Sequence, residues 1–336
     1  MLRMKTYHAL EMAVTKQQLR SYQRANQSSY LGRRGWLWVV VIVSTVFAAL
    51  RVWAIEPALE LLPVVFLWNI SGALLVGLLV WWIGCLLQDK STERRIRFGQ
   101  FADDNNLQYL PAEVAPHFSG IIFNTGSQRR LFERFLADEF EIGNYRYTVR
   151  HGKSSTTYQY GYIRIALERH VAHMLLDAKS NNMNIFGVNM SNLPVAINHN
   201  QTLSLEGDFD KYFTLYAPKE YERDAFYIFT PDLMALLIDE AAEFDVEVID
   251  DQLFVYGKKF NLASQDTWQR LSAIISTVGE KTISRTDFYA DENIGDRSKD
   301  IVAEPGRRLR QEVPWYIIVA IILWMLGYVL QIIMSR

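Results

Sequence analysis

Three long apolar runs constrain this sequence more than any other feature. The last, residues 313–334, holds 22 residues without a charge. At about 1.5 Å of rise per residue, such a helix covers roughly 33 Å, which matches a hydrocarbon core of about 30 Å. Residues 36–55 and 61–87 have the same apolar character. The sequence therefore predicts a membrane protein with three transmembrane α-helices and one large soluble insert.

The charges beside these runs predict their orientation. Arg33 and Arg34 precede the first run, two acids lie in the loop 56–60, and basic residues follow the second run and precede the third. Basic flanks favour the cytoplasmic side of a membrane. We therefore expect a multi-pass protein of the bacterial plasma (inner) membrane, with the N-terminus and large domain cytoplasmic and the C-terminus outside. The lipid bilayer is the first partner this implies.

These boundaries divide the chain into five segments. They are a basic cytosolic segment 1–34, a transmembrane hairpin 35–88, a cytosolic α+β domain 89–284, a polar tether 285–312 and a transmembrane helix 313–336. Residues 88–312 carry 34 acidic and 26 basic side chains. Nucleic-acid binding depends on Lys and Arg that displace counterions from phosphates, so this negative balance excludes a nucleic-acid partner.

Small residues in the second run predict helix packing. Ala73, Gly77 and Gly84 are spaced by four and seven positions, so they lie on one face of a helix. Such a stripe allows a second helix to approach closely. It indicates a protein partner or a homo-oligomer formed through the transmembrane helices.

The central domain has the periodicity of an antiparallel sheet. Residues 140–149 and 156–167 alternate aromatic or β-branched with polar residues around a polar loop, which predicts a hairpin. Further strands are predicted at 173–178, 202–206, 212–217 and 225–229, and a second hairpin at 246–249 and 253–256. Helices are predicted at 230–243 and 264–279, the latter ending at Gly279. The result is a mostly antiparallel α+β domain with two late amphipathic helices, an element order that would suit a pleckstrin-homology-like barrel.

Residues 180–201 contain seven asparagines and little periodicity. A stretch this long without regular structure is typical of a binding loop or of a mobile segment. Both interpretations stay open at this stage.

Few residues indicate catalysis. His170 and His173 are three positions apart, a spacing that chelates a metal on a helix, but the flanking sequence predicts a strand that separates them. We therefore predict no metal, no cofactor and no catalytic residue. If the protein is an enzyme, the candidates are His151, His170, His173 and the pair Asp208 and Asp210.

Three segments, 139–147, 207–218 and 230–234, resemble an uncharacterised family of bacterial membrane proteins with an FDKYFxxYAP-like segment. The resemblance implies hydrophobic spans and a soluble region, but no activity. Within it, a candidate binding rim is formed by Asp208, Phe209, Asp210, Lys211, Tyr212 and Tyr216. The alternative for these residues is a packed junction of the sheet.

Together these patterns predict an integral membrane protein that presents a non-catalytic binding or scaffolding domain at the inner leaflet. A membrane-bound enzyme and a structural subunit of a larger membrane complex are the alternatives.

Overall fold

A computed structural model describes residues 4–26, 38–46, 62–152, 154–185, 188–296 and 299–312, with 322, 324–328, 331 and 334. For residues 62–71, 73–74, 151, 184–185 and 188–190 it describes the backbone alone. Two compact units result: Thr6–Asp104, and Met1–Lys5 with Asn105–Arg336. We call them the helical unit and the α+β unit.

The helical unit consists of α1 (His8–Glu11), α2 (Lys16–Ala25), a helical segment at 38–46 and α3 (Leu62–Asp104). The short helices pack on the charged end of α3, where Tyr7 stacks on Phe101 and Gln23 Nε2 donates to Asp89 Oδ1 at 3.0 Å. A capping box at Thr15 begins α2.

The predicted membrane-spanning architecture is overturned. Most of the runs 36–55 and 313–334 lies outside the described residues. Residues 62–87 of the second run lie in α3. Among the described residues, no helix is both long and apolar enough to cross a membrane.

The correction extends to every prediction that depended on those spans. It covers the fold class with three transmembrane helices, the multi-pass plasma-membrane localisation and the integral membrane scaffold, together with its membrane-bound alternatives. The described chain is instead an α+β protein with a large antiparallel sheet.

The α+β unit is built on a seven-stranded sheet in the order β1-β2-β3-β4-β9-β8, with β10 also paired to β4. Two small sheets, β5-β6 and β7-β11, stand beside it. The strands are β1 (Gln108–Leu110), β2 (Ser127–Leu136), β3 (Phe140–His151), β4 (Ser154–Ala178), β5 (Met183–Ile185), β6 (Val188–Met190), β7 (Ala196–Ile197), β8 (Thr202–Leu203), β9 (Phe213–Tyr216), β10 (Asp245–Lys258) and β11 (Gln311–Glu312).

The helices of this unit follow mostly late in the chain. They are α4 (Phe209–Tyr212), α5 (Glu222–Ile228), α6 (Pro231–Ala241), α7 (Gln265–Ile274), α8 (Glu280–Thr286) and α9 (Glu304–Arg307), with a π-helical turn at Ile275–Gly279 between α7 and α8. On one face of the sheet the fully buried Trp268 of α7 meets Phe135 edge-on. The other face carries an aromatic core that includes Phe123, Tyr145 and Tyr162.

The 25-residue strand β4 organises the sheet. It pairs with β3 from Ser154 to Ile165, with β10 from Tyr160 to Leu176 and with β9 from Leu175 to Ala178. The predicted first hairpin, β3-β4, is confirmed, and so is the helix predicted at 230–243. The predicted strand 173–178 is the end of β4 rather than a separate strand.

Three other local predictions are wrong. Residues 246–256 form the single strand β10 rather than a hairpin, because Asp250 adopts φ 54° in a bulge instead of a turn. Residues 222–228 are helical, not a strand. Gly279 does not end its helix, because the π-helical turn continues directly into α8. A Cβ at Gly279 would lie 2.6 Å from Ile165, so the glycine allows the helix to pack closely on the sheet. The strands after β4 also do not form a simple meander, which removes the pleckstrin-homology-like analogy.

One pair of glycines allows the ring of Phe260 to pack directly on the backbone of the sheet. Gly161 of β4 and Gly257 of β10 lie opposite each other, and a Cβ at Gly161 would overlap the ring of Phe260. Asn144 holds Phe260 in place by accepting its backbone N–H at 2.8 Å and donating to its carbonyl at 3.2 Å. The ring therefore has little freedom to move away.

We expect Gly161→Ala to reduce the free energy of unfolding by about 1–3 kcal/mol, because the added methyl group overpacks this contact. In a Phe260→Ala background the same substitution should cost much less, since the clashing ring is gone. Denaturant unfolding of the four proteins measures the coupling. An equal cost in both backgrounds would contradict this assignment.

Candidate functional site

A row of buried polar side chains lies on the aromatic-core face of the sheet, where β4 and β10 pair. Its members, each at most 4% exposed, are His173, Glu247, Asp177 and Asp245. Val246 lies opposite Leu176, so the register brings the residues next to them, Asp245 and Asp177, together. Directly opposed side chains in an antiparallel pair are about 5 Å apart at Cβ. The topology thus places two acids against each other.

The first half of the row, His173 and Glu247, is fully hydrogen-bonded. Tyr256 O–H donates to Glu247 Oε2 at 2.6 Å, and Ile121 N–H lies 3.1 and 2.9 Å from the two oxygens. Leu309 N–H donates to His173 Nδ1 at 3.1 Å. The proton of His173 is therefore on Nε2, which donates to Glu247 Oε1 at 2.7 Å.

This half has a structural role. Burial, together with the negative charge of Glu247, raises the pKa of Tyr256 well above its usual value, which keeps the phenol a donor. The network fixes two loop segments, at Ile121 and Leu309, against the sheet. Its hydrogen bonds occupy both Glu247 oxygens and both His173 nitrogens.

The second half of the row, Asp177 and Asp245, has hydrogen-bond donors for only some of its carboxylate oxygens. Asp245 Oδ1 accepts Ala178 N–H at 2.9 Å and Asn181 Nδ2 at 3.1 Å. Asn181 Nδ2 also donates to the carbonyl of Glu243 at 3.3 Å, which fixes the orientation of the amide and turns its Oδ1 away from these partners. The second oxygen of Asp245 receives no hydrogen bond from the described residues.

Four buried acceptor atoms in this part of the sheet share that property, as Gln252 Oε1 and Asp287 Oδ1 do elsewhere in the described chain. Within the described part of the chain, no donor reaches Asp177 Oδ1, Asp245 Oδ2, Asn181 Oδ1 or Asn192 Oδ1. A buried acceptor left without a donor costs about 1–3 kcal/mol. We call these four residues the acid–amide cluster.

The pKa of Asp245 is affected by burial and by its neighbours in the cluster. Burial raises the pKa of Asp245 to about 7, and the charge of Asp177 raises it further. Hydrogen bonds from Ala178 N–H and from the side chains of Asn181 and Asn192 oppose this rise. Asp177 and both amides are therefore all within interaction range of one fully buried carboxyl group.

The pKa of Asp177 is also raised. Burial raises its pKa to about 6, against hydrogen bonds from Ser191 and Asn182 and the positive charge of Lys179. Two facing carboxyl groups with pKa values near neutrality resist losing both protons. A retained proton or a nearby positive charge would relieve this repulsion.

The residues of the predicted binding rim have different contacts and do not form one surface. Lys211 forms an exposed ion pair with Asp208 at 2.8 Å, and Phe209 stacks on Phe213 with centroids 5.0 Å apart. Asp210 accepts the Ser204 hydroxyl. Tyr212 is 41% exposed.

Tyr216 alone of the rim residues adjoins the acid–amide cluster. Burial raises its pKa to about 12, and the charge of Asp177 contributes to the rise. Lys179 Nζ donates to the backbone carbonyl of Asp210. The rim and the cluster are thus neighbouring parts of the sheet.

The histidines predicted as enzyme candidates have different partners. His170 Nδ1 lies 3.0 Å from Asp300 Oδ2, whereas His173 faces Glu247, and only the backbone of His151 is described. Over the described ranges, no three His, Cys, Asp or Glu side chains converge as a metal site. The acid–amide cluster contains only two such side chains, Asp177 and Asp245.

The small-residue stripe lies in α3 of the helical unit. A Cβ at Gly77 would meet Ser44 Oγ at 2.5 Å and Val40 Cγ1 at 2.8 Å, so the segment 38–46 of the same chain occupies this surface. Gly84 is buried, and the side chain of Ala73 lies outside the described residues.

Sequence reasoning missed all four cluster residues. The asparagine-rich segment 180–201 marked the region, but it did not select Asn181 and Asn192. Asp177 ends one predicted strand and Asp245 precedes another. Only the pairing of those two strands, which are far apart in sequence, turns two ordinary acids into one site.

With a chelator present, we expect the free energy of unfolding to fall as pH rises from about 4 to 8. The folded pair has raised pKa values, about 6 and about 7, against about 3.9 for an unfolded Asp. The folded state therefore binds more protons in this window, and stability is lost as they leave, by about 1.4 kcal/mol per unit of raised pKa. Thermal unfolding of the natural protein and Asp245→Asn at several pH values tests this. Parallel pH profiles would contradict it.

Comparison with known proteins gives little further guidance. No family model and no curated protein matches the chain. Among solved structures it is similar to the mycobacterial trehalose monomycolate transport factor A, TtfA, at 9% identity and a TM-score of 0.36. The match covers 56% of this chain and 92% of that one. A likeness this weak carries no argument about function.

Proposed function

We propose that the α+β unit is a calcium-binding module and that Ca²⁺ binds in the acid–amide cluster. The observation that carries the proposal is the pair of opposed, buried carboxyl groups, in which Asp177 Oδ1 and Asp245 Oδ2 receive no hydrogen bond from the described residues. A cation between the two carboxyl groups would supply both of these oxygens with a partner. The Asn181 amide, whose N–H group faces Asp245, would have to turn over before its oxygen could also bind the ion.

The charge balance favours a divalent ion. Asp177 and Asp245 together carry two negative charges when ionised, and the positive charge of Lys179 acts on Asp177. Its ammonium group is already used by the carbonyl of Asp210. A divalent cation would neutralise both carboxylates and so offset the burial and the repulsion from Asp177 that raise the pKa of Asp245.

The donor types favour calcium over other metals. Ca²⁺ accepts six to eight oxygen ligands from carboxylates, amide carbonyls and water, whereas Mg²⁺ requires a near-octahedral shell and loses its waters reluctantly. Zinc and copper prefer nitrogen and sulfur ligands. Two carboxylates leave positions for water, amide or backbone carbonyl oxygens. Such a set matches the flexible coordination of calcium.

Calcium titration of the chelator-treated full-length protein tests the proposal. We expect one ion to bind per chain, with weaker binding of Mg²⁺, when heat is measured by isothermal titration calorimetry. At 100 times the dissociation constant, Ca²⁺ should stabilise the fold by about 2.7 kcal/mol. For a unit of this size, that corresponds to a rise in Tm of about 5–10 °C.

Two buried aspartates provide matched variants. Asp245→Asn should abolish the calcium-induced rise in Tm without lowering the Tm in chelator, because it removes an opposed charge. Asp291 is also buried, but it accepts Tyr221 O–H at 2.6 Å and Ala303 N–H at 2.8 Å. Asp291→Asn should therefore lower the Tm in chelator and keep the full calcium response.

Either of two results would overturn the proposal. One is that the natural protein binds no Ca²⁺, in which case the acid pair is satisfied by a shared proton. The other is that Asp177→Asn and Asp245→Asn bind Ca²⁺ as tightly as the natural protein, since the ion would then lie elsewhere.

A further inference from the structure

A small polar pocket in the α+β unit shares no residue with the acid–amide cluster. Its cavity has a volume of about 190 Å³, below the roughly 300–1,000 Å³ of sites for drug-sized ligands, so it suits a small molecule. Three stretches of chain supply its walls: 198–201, 218–220 and residues within 305–310. We call it the polar pocket.

Gln201 joins these three walls. Its side-chain Oε1 accepts Arg310 N–H at 3.0 Å, and its Nε2 donates to the Arg310 carbonyl at 2.9 Å. That carbonyl also accepts Asn198 N–H at 2.9 Å, and the carbonyl of Gln201 accepts Ala217 N–H at 2.9 Å. Gln201 is only 6% exposed, so water competes little for these hydrogen bonds. The backbone of the walls is therefore fixed before a ligand binds.

Three charged side chains line the polar pocket. Lys219, Glu220 and Arg310 are all exposed, and none of them forms an ion pair with another of the described residues. The acid that follows closely in sequence, Glu312, lies 3.5 Å from His199 instead. The pocket thus presents two positive charges and one negative charge to solvent.

Two asparagines add hydrogen-bonding groups to the same pocket. Asn198 Oδ1 accepts Asn200 N–H at 2.9 Å, which leaves its side-chain NH₂ group as a further donor. The exposed side chain of Asn200 also lines the pocket. Carboxylate oxygens accept hydrogen bonds from amides and from cationic groups alike. The donors therefore favour a carboxylate ligand, whereas Glu220 favours one that also carries a positively charged amino group.

We propose that the polar pocket binds a small amino acid with two carboxylate groups, such as glutamate. The carboxylates lie at Lys219 and Arg310, and the ammonium group lies at Glu220. Such a ligand carries two negative charges and one positive charge, the reverse of the pocket. The Arg310 guanidinium can hold one carboxylate by two parallel hydrogen bonds, whereas the Lys219 ammonium acts as a point charge.

Isothermal titration calorimetry of the full-length protein, stripped of metal and dialysed into chelator-free buffer, tests the proposal. We expect L-glutamate to bind one molecule per chain. L-glutamine lacks one carboxylate and glutarate lacks the ammonium group, so each should bind about tenfold more weakly. Asp245→Asn should bind L-glutamate as tightly as the natural protein, because the calcium site is not involved.

Three variants assign the charges to their partners. Lys219→Gln and Arg310→Gln should each weaken the binding of L-glutamate about tenfold. Glu220→Gln should weaken L-glutamate but not glutarate, a difference that a merely structural role of Glu220 would not produce. Lys258→Gln changes an exposed lysine that does not line the pocket, so this control should bind L-glutamate normally.

Several results would overturn the proposal. One is that L-glutamate does not bind. Another is equal affinity for L-glutamate and glutarate, because Glu220 would then hold no ammonium group. Binding that Lys219→Gln and Arg310→Gln leave unchanged would place the amino acid elsewhere on the chain. Tighter binding of inorganic phosphate than of L-glutamate would show a simple anion site instead.

Discussion

The double-sided pairing of β4 is the constraint on which the rest of the α+β unit depends. One strand of 25 residues has β3 and then β9 along one edge and β10 along the other. Its register determines which side chains face each other, and at its end it leaves Asp177 beside Asp245. No loop rearrangement separates these two acids while β4 and β10 stay paired. The candidate site is thus a consequence of strand register.

The buried acids of the sheet differ in how many hydrogen-bond donors surround them. Glu247 is surrounded by donors from a tyrosine, a histidine and a backbone amide, and it holds loops in place. Asp177 and Asp245 have too few donors, and their pKa values rise toward neutrality. A fully paired carboxylate contributes to stability, whereas an unpaired one costs stability until a ligand arrives. That difference separates the hydrogen-bonded half of the row, His173 and Glu247, from the candidate site at Asp177 and Asp245.

Local patterns predicted what depends on neighbouring residues. Strict alternation around 151–154 predicted the β3-β4 hairpin, and Thr230-Pro231 predicted the start of α6. Prediction failed where tertiary contacts decide. Asp250-Asp251 is typical of a turn, but Asp250 forms an ion pair with Arg308 at 2.8 Å from within a bulged strand. The acid pair could not be predicted, because the register between β4 and β10 cannot be deduced from the sequence of either strand alone. The apolar runs predicted membrane spans that the described helices do not provide.

The most direct measurement of the central claim is anomalous diffraction from crystals of the full-length protein soaked in Tb³⁺, an oxygen-seeking substitute for calcium. We predict one strong peak within about 2.3–2.6 Å of oxygens from both Asp177 and Asp245, the range of calcium–oxygen distances. A map in which these carboxyl groups hydrogen-bond to each other, with the strong peak at another place, would contradict it.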